Sequence, residues 1–247
     1  MLLPQLSWRD KLNTLVGYCL IKTGRLQHDI FTEQELNALI APYFPFSEQL
    51  TVPIGEGHFS CLEGQLSMPV SSNRLTLQML CAIEVKVMGT PIYKAHAAAG
   101  LSALPNYFPA SASLHITDTR VDFIHLLNDH YSLVKDTQFI IDKLLPLPLS
   151  GLGSLLGQPL RSALSLVSAG STDQALDYLK LYLQGSTQRI LDYHKPKLAK
   201  ALLAKLEERS LEYTMDDNHW REFLFARYGK RVDVEDQQLK FYFTEAP

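Results

Sequence analysis

The sequence predicts an α+β fold: a long antiparallel β-sheet with one apolar face, a long C-terminal α-helix to cover it, and additional helices. Residues 75–87, LTLQMLCAIEVKV, place Leu75, Leu77, Met79, Cys81, Ile83, Val85 and Val87 on every second position, the period of a strand with one buried face. At roughly 3.3 Å per residue this run is about 43 Å long, more than twice the usual strand. A second stretch, from about Thr187 to Tyr213, carries Leu191, Leu198, Leu202, Leu203 and Leu206 on one helical side, with a bend expected at Pro196. At 1.5 Å per residue it reaches about 40 Å. Two rods of matching length, each with an apolar side, are expected to lie face to face.

The chain begins with a helical pattern. Trp8, Leu12, Leu15, Val16 and Cys19 recur at helical spacing, and Ser7 to Asp10 fits a capping box. Arg9 and Lys11 followed by LVGYCLI also resemble a charged and apolar export signal, but Tyr18 stands directly before Cys19, where a lipoprotein signal needs a small residue. An amphipathic helix over residues 1–30 is expected, with a cytoplasmic location favoured and a periplasmic or membrane-associated one as the alternative.

Next comes FTEQELNALI, the sharpest local signal. Thr32 caps a helix while Glu35 reaches back, Phe31 is placed to staple onto Leu36, and Leu36, Leu39, Ile40 and Tyr43 form one apolar stripe ended by Pro42 and Pro45. From about Leu50 to Phe123 the period is two. Leu62, Gly64, Leu66, Met68 and Val70 alternate with polar positions, and a turn at Ser71 to Asn73 makes a hairpin with the long strand. A third ribbon runs through Ile92 and Lys94 into the stretch Ala95 to Leu101. A fourth runs from Ala112 to Ile124, with a bulge near Asp118 where the apolar parity changes. Short turns between neighbours imply an antiparallel meander.

Residues 144–172 hold a single charge, Arg161, among many leucines, prolines and glycines. They read either as a packed apolar connector with a short helix at Leu160 to Val167, or as an apolar flap or contact surface. A helix capped by Asp173 is expected to close near Gly185. After the long helix, a short one carries Trp220, Phe223, Leu224 and Tyr228 with Gly229 as its C-cap, and strands follow at Val232 to Val234 and Leu239 to Phe243.

With 247 residues, 46% hydrophobic and 20% charged, the composition is that of a globular chain, and a net charge of −3 without a basic run disfavours nucleic-acid binding. Cys19, Cys61 and Cys81 sit in apolar patterns far apart in sequence and read as small apolar side chains, not a disulfide framework or zinc site. No nucleotide loop, nucleophile elbow or zinc-helix motif is present. His115, Asp118, Asp122, His125, Asp129 and His130 form a dense polar group. They follow neither one strand face nor one helix face, so a solvated strand end explains them more simply than a metal site does.

The ladders CLEGQLSMPV and LTLQMLCAIEVKV (61–87), FTEQELNALI (31–40), SLHITDTRVDFI (113–124), and the segments KPKLAKALLAKLEERSLEYTM and KRVDVEDQQLKFYF within 195–243 resemble the YceB-like bacterial lipoproteins. That family is linked to the tubular lipid-binding (TULIP) superfamily. The resemblance implies a single domain over 31–247 whose sheet wraps around the long helix, an apolar groove between them, no catalytic residues, and an insertion at about 130–188. The expected function is therefore non-enzymatic binding of a lipid or other long apolar ligand, without cofactor or metal. The expected wall residues are Leu62, Leu66, Met68, Leu75, Leu77, Met79, Ile83, Val85, Leu198, Leu202 and Leu206. The alternatives are an adaptor with a solid core whose 144–172 segment meets a partner or membrane surface, and a metal-dependent enzyme built on the His115 to His130 group.

Overall fold

The chain is described by a computed structural model over residues 6–70, 72–87, 89–131, 178, 181, 187–208 and 211–245. Its elements run α1 (Trp8–Lys22), β1 (His28–Phe31), α2 (Glu33–Ile40), β2 (Phe46–Leu50), β3 (Glu56–Ser67), β4 (Leu75–Val87), β5 (Thr90–Phe108), β6 (Ser113–Tyr131), α3 (Thr187–Glu208), β7 (Glu212–Thr214), α4 (Trp220–Tyr228), β8 (Arg231–Glu235) and β9 (Gln238–Tyr242). The fold is α+β. Strands β2-β3-β4-β5-β6-β7 form one strongly curled antiparallel sheet in sequence order, and β1-β9-β8 form a second, small one.

Alternation in β4 works as the sequence reads: Met79, Cys81, Ile83, Val85 and Val87 are buried on one side. β5 continues the same face with Ala95, Ala97, Ala99 and Leu101. Leu191, Leu198 and Leu202 of α3 belong to the same buried cluster as these strand residues. α3 is 22 residues long with Pro196 inside it, and it stops at Glu208, short of the expected Tyr213. Glu212 to Thr214 pair instead with Ser113 to His115 as a strand, because an open edge of β6 offers ladder partners there.

Two further features depart from the reading of the sequence. β5 and β6 are 19 residues each, running well past the expected ends at Leu101 and Ile124. Their pairing tolerates that length through register shifts, one of them opposite Asp118, whose φ is +48°. In the second sheet β8 and β9 fall where the sequence places strands, but β1 was not expected, and it pairs with β9 across most of the chain. Its hairpin β8–β9 turns on Asp236 and Gln237, both at positive φ, the geometry of a two-residue hairpin loop. The expected helix from Asp173 to Gly185 and the 144–172 stretch lie outside the described residues, apart from Tyr178 and Leu181.

Met68, Leu224, Phe225, Val234, Leu239 and Phe241 build a second buried cluster between the small sheet and α4. α4 ends at Gly229, where an added Cβ would stand 2.5 Å from the Phe225 carbonyl oxygen, so the close turn needs glycine. α1 rests on α4. Its contact face is Thr14 and Gly17, not the stripe read from the sequence: Trp8, Leu12, Leu15 and Val16 are exposed. Ser7 caps it through Asp10 as expected.

Cys61 and Cys81 lie directly opposite each other in β3 and β4, both buried, with Sγ atoms 3.0 Å apart. The Cys81 thiol and burial together push the Cys61 thiol well above its usual range. Cys19 is exposed on α1. A thiol reagent applied to the folded chain is therefore expected to modify Cys19 alone, and all three cysteines only after denaturation. Fast native modification at Cys61 or Cys81, read by peptide mass mapping, would contradict the packing of β3 on β4.

Candidate functional site: apolar cavities beside α2

α2 is held by its polar side chains. The capping box is complete: Glu35 N–H donates to the Thr32 hydroxyl, and the Glu35 carboxylate accepts from the Thr32 backbone at 2.8 Å. Thr32 accordingly holds the Glu35 carboxyl below its usual range. Asn37 bonds both backbone groups of Leu66, accepting from its N–H at 2.7 Å and donating to its carbonyl at 2.8 Å, and Glu33 accepts from Met68 N–H at 2.7 Å. Yet none of the helix's residues is buried. Leu36 packs in part against the second cluster, while Leu39 and Tyr43 stay exposed, so the stripe is anchored beside β3 and only partly covered.

That stripe borders two cavities. The first is about 540 Å³, within the size range of ligand sites. Ile40, Tyr43, Phe44 and Phe46 form one wall. Leu77 and Met79 of β4 and Leu101 of β5 form the floor, and Leu202, Leu206 and Leu211 the opposite wall. Gly64 makes room for Phe44, because a Cβ there would meet the ring at 2.3 Å. The second cavity, about 510 Å³, is bordered by Leu36 and Leu39, by Leu114 and Tyr213, and by Phe31, Phe225 and Phe241. Leu36 and Ile40 are one helical turn apart on the same face, and Leu211 and Tyr213 are two residues apart, so the cavities follow one another along the same two walls. A third hollow of about 650 Å³ is edged by Glu63, Gln65 and Gln78 and is polar by comparison.

Charges at both apolar cavities are already spoken for. Lys205, the only charged residue bordering the first among the described residues, is paired with Glu48 and with Glu208 at 3.1 Å, which raises its pKa. Beside the second, Arg221 grips Asp29 with two nitrogens at 2.7 and 2.8 Å, donates to the Ile30 carbonyl at 2.7 Å and lies over the Phe31 ring. These cations hold elements together, while Asp29, Glu35, His219 and Glu222 also border the second cavity.

Of the expected wall residues, Leu77, Met79, Leu202 and Leu206 come together around the first cavity. Ile83, Val85 and Leu198 are buried where the sheet and helix residues pack solid. Leu66, Met68 and Leu75 belong to the second cluster, with Met68 fully inside it. Leu62 does not face the interior: the register shift between Cys61 and Glu63 turns it outward, 41% exposed. The sequence reading missed Phe44, Phe46, Leu101 and Leu211, although the stripe through Leu39, Ile40 and Tyr43 already pointed to an apolar partner on that side.

The polar group read as a weak metal candidate is spread along β6. His115 bonds Ser113 at 2.9 Å, Asp118 pairs with Arg74 through a salt bridge that lowers its pKa, and Asp122 accepts from Ser102 at 3.0 Å. Among the described residues no three His, Cys, Asp or Glu side chains converge as metal ligands, and no helix is long and apolar enough to cross a membrane. Compared with known proteins, the chain matches no family model and no curated protein.

Proposed function

We propose that the chain binds a lipid or another long apolar molecule, without catalysis, in the groove that runs along α2. The sheet wraps toward α3 in this reading, as in the YceB-like lipoproteins the sequence resembles. The covered end packs solid around Ile83, Val85 and Leu198, and the ligand lies at the other end against Leu77, Met79, Leu202 and Leu206. The observation that carries the proposal is the anchored but only partly covered apolar stripe of α2 facing two successive apolar cavities. A helix held in place with its apolar side partly open is preorganised for an apolar guest, whose burial supplies about 25 cal/mol per Å². With Lys205 and Arg221 neutralised by carboxylates, a neutral or weakly polar head group is favoured over a strongly anionic one.

Titrating delipidated protein with a fluorescent fatty acid and with a fluorescent diacylglycerol tests this. Saturable binding is expected for both, tighter for the neutral lipid. Leu206→Trp, which fills the first cavity from its wall, is expected to weaken binding tenfold or more, while Leu62→Trp on the outward face leaves it unchanged. No saturable binding, or equal binding by Leu206→Trp, would overturn the proposal.

A further inference from the structure

The exposed face of α1 is built to lie on a charged apolar boundary. Trp8 is 82%, Leu12 54%, Leu15 60% and Val16 50% exposed, and Cys19 extends the same stripe by another turn. At 100° per residue these side chains span one third of the helix circumference or less, along about 17 Å of axis. Arg9 borders the stripe on one side, and Lys11 and Lys22 border it on the other. None of the three forms an ion pair among the described residues, while Lys22 lies over the rings of Tyr18 and Tyr228 at 5.9 and 5.8 Å. The one acid of the helix, Asp10, points away from the stripe and is engaged with Ser7 at the cap. The opposite face, Thr14 and Gly17, is the one that meets α4, where a Cβ at Gly17 would come 2.5 Å from Leu224 Cδ1.

We propose that α1 docks the protein on an anionic lipid bilayer, lying in the interface with Trp8, Leu12, Leu15 and Val16 below the head groups and Arg9, Lys11 and Lys22 among the phosphates. Exposed apolar residues with a tryptophan among them, flanked by long cationic side chains able to snorkel, suit the boundary of an anionic bilayer. Charge decides between a bilayer and a second copy of the chain. A twofold pairing of this face would set cations against the same cations across the axis, whereas phosphate head groups complement them. α1 also sits on α4, which contributes Arg221 and Phe225 to the second cavity, so docking would hold the body of the protein close to the lipid.

The test is co-sedimentation of the full chain with vesicles of phosphatidylcholine alone and of phosphatidylcholine with one quarter phosphatidylglycerol. Binding to the anionic vesicles, at least tenfold weaker to the neutral ones and weakened by salt, is expected. A blue shift of tryptophan emission that Trp8→Phe abolishes is expected with it. Leu12→Gln with Leu15→Gln should lower retention tenfold or more with unchanged thermal unfolding, since both side chains are exposed. The cavity variant Leu206→Trp should bind vesicles normally, which separates this inference from the ligand-binding one. Failure of the native chain to bind anionic vesicles, or equal binding by the double variant, overturns the proposal. A concentration-dependent dimer lost in the double variant, without vesicle binding, also overturns it and gives the face to self-association.

Discussion

Arg221→Ala is expected to destabilise the protein by about 3 kcal/mol, lowering its melting temperature by roughly 6–12 °C. The side chain is mostly buried and reaches from α4 to the start of the chain. Its fork holds both oxygens of Asp29, its third bond satisfies the Ile30 carbonyl, and a weaker contact at 3.4 Å reaches Glu35. Asp29 raises the guanidinium's already high pKa, so the group stays charged throughout. Removing it leaves the part-buried Asp29 side chain with only the Ile30 N–H, at 2.9 Å, as a partner and strips the Phe31 ring of its cover, losses that alanine cannot replace. Arg221→Lys keeps the charge but not the fork, and is expected to cost about half as much. Urea unfolding of the three proteins gives the order directly. A change below about 0.5 kcal/mol for the alanine variant would show that α4 is held by its apolar contacts alone.

The second large effect is on acid stability. His194 is fully buried on α3, its Nε2 3.3 Å from the Tyr178 hydroxyl, its ring stacked on Tyr93 and edge-on to Tyr193. Burial, with a smaller contribution from the nearby Lys197 charge, pushes its pKa down to about 4. The unfolded chain takes up this proton near pH 6.5, and the folded chain refuses it until about pH 4. Stability from this group is therefore whole above pH 6.5, declines as pH falls through the window, and is lost below it. The total is about 3 kcal/mol. His194→Gln keeps a polar terminus toward Tyr178 without the titration. Its unfolding free energy is expected to fall less steeply between pH 6.5 and 4 than that of the native chain. Parallel pH profiles would mean that the imidazole is protonated inside the fold.

Much of the fold is legible because its signals are local. The β4 alternation, the α2 capping box and the leucine spacing of α3 each depend on residues a few positions apart. What escaped depends on pairings that leave no local mark. β1 finds β9 across some two hundred residues, which no period in HDIF announces. The bulge after Cys61 inverts Leu62, and a period-two pattern alone cannot show where one residue is added. Glu212 to Thr214 continue a helical apolar pattern but are captured by the β6 edge. The candidate site is legible in part: Leu77, Met79, Leu202 and Leu206 follow from the facing rods, while Phe44 and Leu211 enter through loops. α1 shows the limit of spacing patterns: they pick out Trp8, Leu12, Leu15 and Val16 as one face, yet Thr14 and Gly17 are the residues that pack on α4.

Native mass spectrometry of protein purified without detergent tests the apolar groove most directly. The expected spectrum carries a mass increment of one lipid or long-chain species, displaceable by added diacylglycerol and diminished in Leu206→Trp. A spectrum of bare chain alone, unchanged after incubation with lipid, would mean that the cavities beside α2 hold nothing and that the stripe from Leu36 to Tyr43 serves some other contact.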